Sequence, residues 1–175
     1  MPLPLSFPMI NIDPPSSSLA LDGLPTVSSN GLARFVNRAR AAVGLSGEVE
    51  VLLTSDRELK RLNQAFRGKN KATDVLSFPA PPELRALSAG DLAISLDTAA
   101  VQAAEHGHTL GQEVRVLLLH GLLHLAGEDH EIDHGEMAAR EAELRKSLRL
   151  PAGLIGRSTQ TAAAAGGGSA RGRRP

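Results

Sequence analysis

The sequence predicts an α+β fold, in which a small mixed β-sheet is packed with helices around one central buried helix. Strand and helix patterns alternate at first, and three consecutive helices then complete the chain. The middle one of these three, over residues 110–126, is almost wholly apolar and so has no polar face to present to solvent. It ends in three histidines with the spacing H-x3-H-x5-H, which predicts a metal site carried by a rigid element.

The first strand and helix are predicted on either side of a loop. Residues 9–12 read as a short strand, and residues 13–27 are rich in Ser and Pro, which is typical of a loop. The helix that follows has apolar residues at helical spacing, with Ser29 or Asn30 as its cap, and it ends at Gly44.

A second strand, over residues 48–54, leads into a helix with a strong start signal. Ser55 and Glu58 have the spacing of a capping box, in which two side chains satisfy backbone groups at the helix start. Gly68 closes this helix. Its predicted apolar stripe consists of Leu59, Leu62 and Phe66.

Two further strands and a helix are predicted in the middle of the chain. Residues 74–78 read as a strand ended by Pro79, and residues 90–96 alternate apolar and polar positions as a half-buried strand does. Residues 97–105 then read as a helix.

The last two helices each begin with a capping pattern. Thr109 and Gln112 form a second capping-box match and open the apolar helix over residues 110–126. Asp133 and Glu136 cap the final helix. The predicted inner face of that helix consists of Met137, Ala138, Ala142 and Leu148.

The length of 175 residues suits one domain, which we expect to span residues 1–155. Residues 156–175 are rich in Ala, Gly and Arg and are expected to be a disordered basic tail. The chain has no cysteine, so a metal would need nitrogen or oxygen ligands. No apolar run reaches the ~20 residues that cross a bilayer, and the sequence predicts a cytoplasmic protein without a membrane partner.

The charge and aromatic content argue against broad capture of nucleic acid. Lys plus Arg and Asp plus Glu each number 19, so the formal charge is zero, whereas a general nucleic-acid binder is usually basic. The chain has no Trp or Tyr and four Phe, which disfavours an extended base-stacking platform. A local basic site remains compatible with this composition.

The histidine segment His120-Gly-Leu-Leu-His124-Leu-Ala-Gly-Glu-Asp-His130 predicts a metal centre. His120 and His124 are four apart, so in a helix they lie on the same face. Gly127 can adopt the left-handed conformation that ends a helix, which lets the chain return His130 to that face. Three imidazoles can hold one zinc ion and leave a fourth position open for water, as catalytic zinc sites do.

Gly121 separates this segment from the zinc proteases with the same histidine spacing. Those enzymes have H-E-x-x-H, and the Glu after the first histidine is their general base. Gly121 stands at that position here. A metallopeptidase-like hydrolase is therefore the first alternative function, supported by the spacing and opposed by the absent base.

A second unusual segment is basic and surrounds Gly68. It places five positive charges within twelve residues: Lys60, Arg61, Arg67, Lys69 and Lys71. Gly68 predicts a turn from which Arg67 projects, and the planar guanidinium matches phosphate oxygens. A cation beside a metal is what cleavage of a phosphodiester needs.

At these residues the chain resembles the YbeY family of bacterial endoribonucleases, also called rRNA maturation factors. Three segments carry the resemblance: 67–79, similar to R-x-K-x-x-P-T-[ND]-V-L-S-F-P; 90–95, similar to G-D-I-x-I; and 120–130, similar to H-G-x-L-H-L-x-G-x-D-H. The match extends over roughly residues 48–150 and departs at Ala72, where the family usually has Pro.

The resemblance implies a zinc-dependent endoribonuclease specific for single-stranded RNA. It implies maturation of the 3′ end of small-subunit rRNA and ribosome quality control, with rRNA and the ribosome or ribosome-associated proteins as partners. His120, His124 and His130 would bind one zinc ion. Arg67 would be the functional arginine beside it.

The residues leave several points open. Asp129, Glu128 and Glu105 are the candidates for a side-chain base, and either water or the ribose 2′-OH could attack the phosphodiester. His106, His108 and His134 are expected to be solvent-exposed rather than part of the site. The second alternative function is a non-catalytic, ribosome-associated protein whose zinc is structural.

Overall fold

The computed structural model describes residues 9–12 and 29–152. Its strands are β1 (Ile10–Ile12), β2 (Glu48–Thr54), β3 (Val75–Pro79) and β4 (Ser88–Ser95). Its helices are α1 (Ser29–Val43), α2 (Asp56–Arg67), α3 (Leu96–His106), α4 (Leu110–Leu125) and α5 (Glu136–Ser147), with a 3₁₀ turn at Pro82–Leu84. The predicted loop over 13–27 and the predicted tail over 156–175 lie outside the described residues.

The four strands form one mixed sheet in the order β1-β2-β4-β3, which confirms the predicted α+β class. β2 pairs in parallel with β1 and β4, whereas β3 pairs antiparallel with β4. β3 continues through Pro79, which pairs with Gly90, so the predicted end at residue 78 was one residue too early. A proline is tolerated there because β3 is an edge strand and needs no outward backbone donor.

One face of the sheet supports the main core. Val51 and Leu53 of β2 and Leu92 and Ile94 of β4 belong to a buried cluster with the apolar residues of α1 and α4. In α4, twelve of the sixteen residues are buried, including every residue from Val116 to Leu123. The prediction of a central buried helix is confirmed, and the capping box of Thr109 and Gln112 forms as expected. No helix in the described part of the chain is long and apolar enough to span a bilayer.

The other face of the sheet is only partly covered, by α2. Leu59 packs with Leu76 and Ala93 in a second, smaller cluster. Phe66, however, is 70% exposed, so its predicted place in the inner stripe of α2 is wrong. The last turn of α2 borders an open groove in the sheet instead of covering it, which leaves Phe66 at the rim.

Helix α5 packs against the core with a face that only partly matches the predicted one. Met137 is buried and Leu148 is partly buried against the core, as predicted. Ala138 and Ala142 are exposed, so those two positions were assigned wrongly. Glu141 and Arg145 lie on the inner face instead and form an ion pair there. A count of apolar residues cannot find such a face, because its buried positions include charged residues that satisfy each other.

Candidate metal centre

The end of α4 brings the three histidines together. His120 and His124 face each other with 3.2 Å between their Nε2 atoms, and the ring centroids are 4.8 Å apart. The His130 ring lies 5.6 Å from each of the other two. One nitrogen from each ring is within 4.8 Å of the others, which is close enough for a single metal ion. The three histidines therefore lie together, as their spacing in the sequence predicts.

The backbone after α4 explains how His130 returns to the helix. Ala126 ends the helix, and Gly127 adopts φ +90°, a left-handed conformation that favours glycine. The Gly127 amide donates to the His124 carbonyl and the Glu128 amide to the Leu123 carbonyl, which is a tight C-terminal turn. The chain therefore reverses direction and His130 meets the two helical histidines.

Glu141 of α5 holds His120 from the side opposite the other histidines. His120 Nδ1 lies 3.2 Å from a Glu141 carboxylate oxygen, and since a carboxylate accepts, the nitrogen must donate. This fixes the proton on Nδ1 and leaves Nε2 as the lone-pair donor that faces His124. Metal-binding histidines commonly have such a carboxylate partner.

His120 and Arg145 together keep Glu141 charged in this largely buried position. Burial by itself would raise the pKa of Glu141, but the hydrogen bond from His120 and the charge of Arg145 outweigh it and lower the pKa to about 2. Arg145 donates to the second carboxylate oxygen at 3.0 Å and is itself only 5% exposed. The three side chains form one buried line from α5 to the metal-binding face of α4.

The ionisation of the histidines also suits a cation. Burial, together with His120 and His130 nearby, lowers the pKa of His124 to about 4, so its ring is neutral at pH 7 and has a free lone pair. Within residues 9–12 and 29–152, the buried Nδ1 of His130 has no hydrogen-bond partner. A buried nitrogen without a partner is costly unless it binds something. The donor set and this nitrogen fit a metal ion that prefers imidazole, such as zinc.

Arg67 is held against β3, the edge strand of the sheet. It is the last residue of α2 rather than part of a loop, because Gly68 adopts φ +66° and ends the helix there. The guanidinium donates to the Ser77 carbonyl and lies 5.7 Å from the Phe78 ring centroid. Partial burial lowers the pKa of Arg67, yet an arginine remains cationic in proteins. A fixed cation therefore stands on β3.

Ser77 links Arg67 to the histidine helix. Its backbone carbonyl accepts from Arg67, and its hydroxyl donates to the Gly121 carbonyl at 3.3 Å. Gly121 directly follows His120 in the chain. Two hydrogen bonds thus connect the arginine to the segment that carries the histidine triad, and Ser77 is buried between them.

Gly121 is needed for the close approach of α4 to the sheet. A Cβ at this position would lie 2.8 Å from a Leu92 methyl carbon and 3.4 Å from the Ser77 hydroxyl. The position faces the sheet rather than open space, so a glutamate there would meet packed side chains. The protease general base therefore has no room at the position where metallopeptidases carry it.

The other candidate carboxylates have different surroundings. Glu128 pairs with Arg140 of α5. Asp129 lies close enough to His124 to raise the pKa of that ring slightly against the larger effect of burial. Glu105 is exposed near the end of α3. Of these three carboxylates, Asp129 is the one whose charge acts on a histidine of the triad.

The solvent exposure of the three histidines outside the triad only partly matches the prediction. His134 is exposed and His106 is half-buried. The His108 side chain is just 11% exposed and lies 3.1 Å from the fully buried Glu113, so its expected exposure is wrong. That pair joins the start of α4 to the loop before it, where a polar contact replaces apolar packing.

Sequence reasoning missed Glu141 and Ser77. A signal for Glu141 was available, because Met137 was placed on the inner face and residues four apart in a helix share a face. Ser77 gave no such signal, since its two partners become neighbours only when β3 packs under α4.

Comparisons with known proteins agree with this geometry. A family model described as Endoribonuclease YbeY matches residues 25–149. A Koribacter versatilis protein named Endoribonuclease YbeY is 55% identical over 139 residues, 79% of this chain and 90% of that protein. Its Solibacter usitatus namesake is 48% identical over 146 residues, covering 82% and 96% respectively. The solution structure of TM1509 from Thermotoga maritima matches with a TM-score of 0.50 and 28% identity, over 80% of this chain and 89% of that one.

Proposed function

Because this chain belongs to the YbeY family of endoribonucleases, we propose that it is a zinc-dependent enzyme that cuts single-stranded RNA. Its substrate is ribosomal RNA, with maturation of the 3′ end of the small-subunit rRNA and ribosome quality control as its setting. The ribosome or ribosome-associated proteins are its partners, and the cytoplasm is its compartment. The catalytic domain spans residues 1–155.

The observation that carries this proposal is the convergence of the three histidines, together with an arginine that Ser77 connects to the histidine helix through two hydrogen bonds. His120, His124 and His130 are the ligands of one zinc ion. When bound, zinc supplies Lewis acidity, which can lower the pKa of water to about 7. Arg67 is the fixed cation that binds the phosphate.

The protein's own groups perform distinct tasks. Glu141 orients His120 and holds the proton on its Nδ1, so that Nε2 remains available as a ligand. Arg67 offers N–H donors to the phosphate and stabilises the negative charge that grows on its oxygens during cleavage. Ser77 fixes the position of Arg67 relative to the histidine helix. Asp129, whose charge acts on His124, is the carboxylate that accepts a proton if a side-chain base takes part.

Two routes to cleavage use these groups and give different products. Attack by water on the phosphorus leaves a phosphate monoester on one side of the cut and a hydroxyl on the other. Attack by the ribose 2′-OH leaves a 2′,3′-cyclic phosphate and a 5′-hydroxyl. The ends of the RNA fragments therefore identify the nucleophile.

A metallopeptidase function has less support, because Gly121 faces Leu92 and leaves no room for the protease base. The remaining alternative, a structural zinc, requires the fold to depend on the metal. Helix α4 is instead buried by apolar packing along its length.

The test is cleavage of one RNA sequence presented as a single strand and as a duplex. The wild-type protein is stripped of metal, reloaded with zinc and compared with His124→Ala and with His134→Ala, a matched histidine exposed outside the triad. We expect zinc-dependent cleavage of the single strand by the wild type and His134→Ala, and none by His124→Ala. Equal cleavage by all three proteins would identify a contaminant and refute the proposal.

A further inference from the structure

An open groove lies in the face of the sheet that α2 leaves uncovered, and Phe66, the residue before Arg67, lines it. Its volume is about 420 Å³, within the range of ~300–1,000 Å³ that is usual for small-molecule sites. Phe66 and Leu62 of α2 form one wall, Phe78 of β3 another, and Leu52 and Ala93 part of the floor. The groove is therefore mostly apolar and stands on the sheet surface that α2 leaves open.

Two aromatic rings mark the end of the groove that is nearest to Arg67. The rings of Phe66 and Phe78 lie edge to face, 5.5 Å apart, and Phe66 is 70% exposed. The Arg67 guanidinium is 5.7 Å from the Phe78 ring. Phe66 and Arg67 are consecutive in the chain. A ring that can stack on a base therefore lies one residue from an arginine that can bind a phosphate.

The groove has basic residues beyond one end and acidic residues in its lining. Lys69 and Lys71 are exposed just beyond Arg67, on the side of the basic turn. Glu50 and Asp91 line the groove on neighbouring strands, across from Phe78. The carboxylates repel a phosphate but accept hydrogen bonds from base amino groups, as Asp and Glu do from cytosine N4. A base therefore fits inside, with its phosphate outside on the basic turn.

We propose that this groove is a base-binding site, in which an unpaired base of the RNA substrate stacks on Phe66 while Arg67 holds the adjoining phosphate. The inference rests on the proposed ribonuclease function, which supplies the ligand class. It adds a reason for single-strand specificity, because a paired base cannot leave its helix to enter the groove. It uses one exposed ring beside a local basic turn and needs no extended base-stacking platform.

The absence of tryptophan from the chain allows a direct test. The Phe66→Trp variant carries a single tryptophan at the rim of the groove, and Val101→Trp carries one at an exposed position on α3 as the matched control. Stopped-flow fluorescence of the zinc-loaded, full-length variants records the binding of an oligocytidylate before cleavage. We expect quenching in Phe66→Trp alone, with an abasic strand of equal charge giving none.

Affinity provides the second measurement. Phe66→Ala should weaken binding of the oligocytidylate about 5- to 150-fold, the equivalent of the ~1–3 kcal/mol that one stacked base contributes. Val101→Ala should bind as the wild type does. Because Glu50 and Asp91 accept from an amino group, oligocytidylate should bind more tightly than oligouridylate, which has none.

The outcomes separate this inference from the proposed function. Cleavage by the wild type with no quenching in Phe66→Trp and unchanged affinity in Phe66→Ala would overturn the base site alone. If the tryptophan fluorescence of Phe66→Trp responds to an oligolysine peptide but not to RNA, the groove binds a protein partner and the base site is overturned. Quenching without any cleavage would support the groove and remove the ribonuclease proposal.

Discussion

Replacing Glu141 with Gln tests whether the carboxylate on α5 prepares His120 for metal binding. The change keeps the size of the side chain and one hydrogen-bond acceptor, but it removes the negative charge 3.2 Å from His120 Nδ1. The amide also no longer neutralises Arg145, which is 5% exposed. The lost charge beside His120 and the unpaired charge of Arg145 both follow from the removal of this one carboxylate.

The expected loss in metal affinity is ten- to a hundredfold. A hydrogen bond to a charged group contributes about 1.5–3 kcal/mol, and the change to a neutral acceptor forfeits most of it. Removal of the carboxylate partner of a metal-binding histidine commonly costs about 10- to 100-fold in affinity, which is ~1.4–2.7 kcal/mol. The metal-free protein should also be destabilised by roughly 1–3 kcal/mol, because Arg145 keeps its charge without a carboxylate.

Competition with a chromophoric chelator measures the zinc affinity, and urea unfolding measures the stability of the metal-free form. Glu143→Gln is the matched control, since Glu143 is exposed on the same helix. The Glu141 variant should bind zinc at least tenfold more weakly than the Glu143 variant. Equal affinities in a folded Glu141→Gln protein would refute the orienting role of Glu141.

Four further predictions follow from the packing and charges of the site. Gly121→Glu should unfold or strongly destabilise the protein rather than create a peptidase, because its Cβ would meet Leu92 at 2.8 Å; thermal unfolding and a peptidase assay decide this. Ser77→Ala should cost about 0.5–1.5 kcal/mol in urea unfolding and lower RNA cleavage with zinc content unchanged; wild-type activity would contradict the link to Arg67. Removal of zinc should leave the far-UV circular dichroism of the helices largely intact, and its collapse would favour a structural zinc. In the metal-free protein, the free energy of unfolding should fall as the pH is lowered from about 6.5 to about 4, since the unfolded chain takes up the His124 proton first; a pH series should show this dependence reduced in His124→Ala.

The histidine triad could be predicted because its geometry is contained in a short segment. The spacing of His120 and His124 follows from one helical turn, and Gly127 provides the reversal that brings His130 back. The long apolar run likewise predicted the buried helix that supports them. Local patterns of this kind need no knowledge of which element packs on which.

Features that depend on packing between distant elements were missed or misplaced. Ala138 and Ala142 were assigned to the core because they are small and apolar, but the ion pair of Glu141 with Arg145 takes the inner face. Phe66 was assigned to the apolar stripe of α2 by its spacing from Leu59 and Leu62, and α2 instead ends over an open sheet. Strand order is also a long-range property, which is why the sequence predicted a mixed sheet but not its arrangement.

Single-turnover cleavage of a single-stranded RNA by zinc-loaded Arg67→Ala tests most directly whether Arg67 and the metal site act together in RNA cleavage. Arg57→Ala is the matched control, since Arg57 is an exposed arginine on the same helix. Zinc content and circular dichroism are measured on each preparation, so that a loss of activity is not a loss of metal or fold. Arg67→Ala should retain zinc and fold but cleave about 10²- to 10³-fold more slowly, while Arg57→Ala should match the wild type. Cleavage by Arg67→Ala at the rate of Arg57→Ala would contradict a metal-plus-arginine ribonuclease.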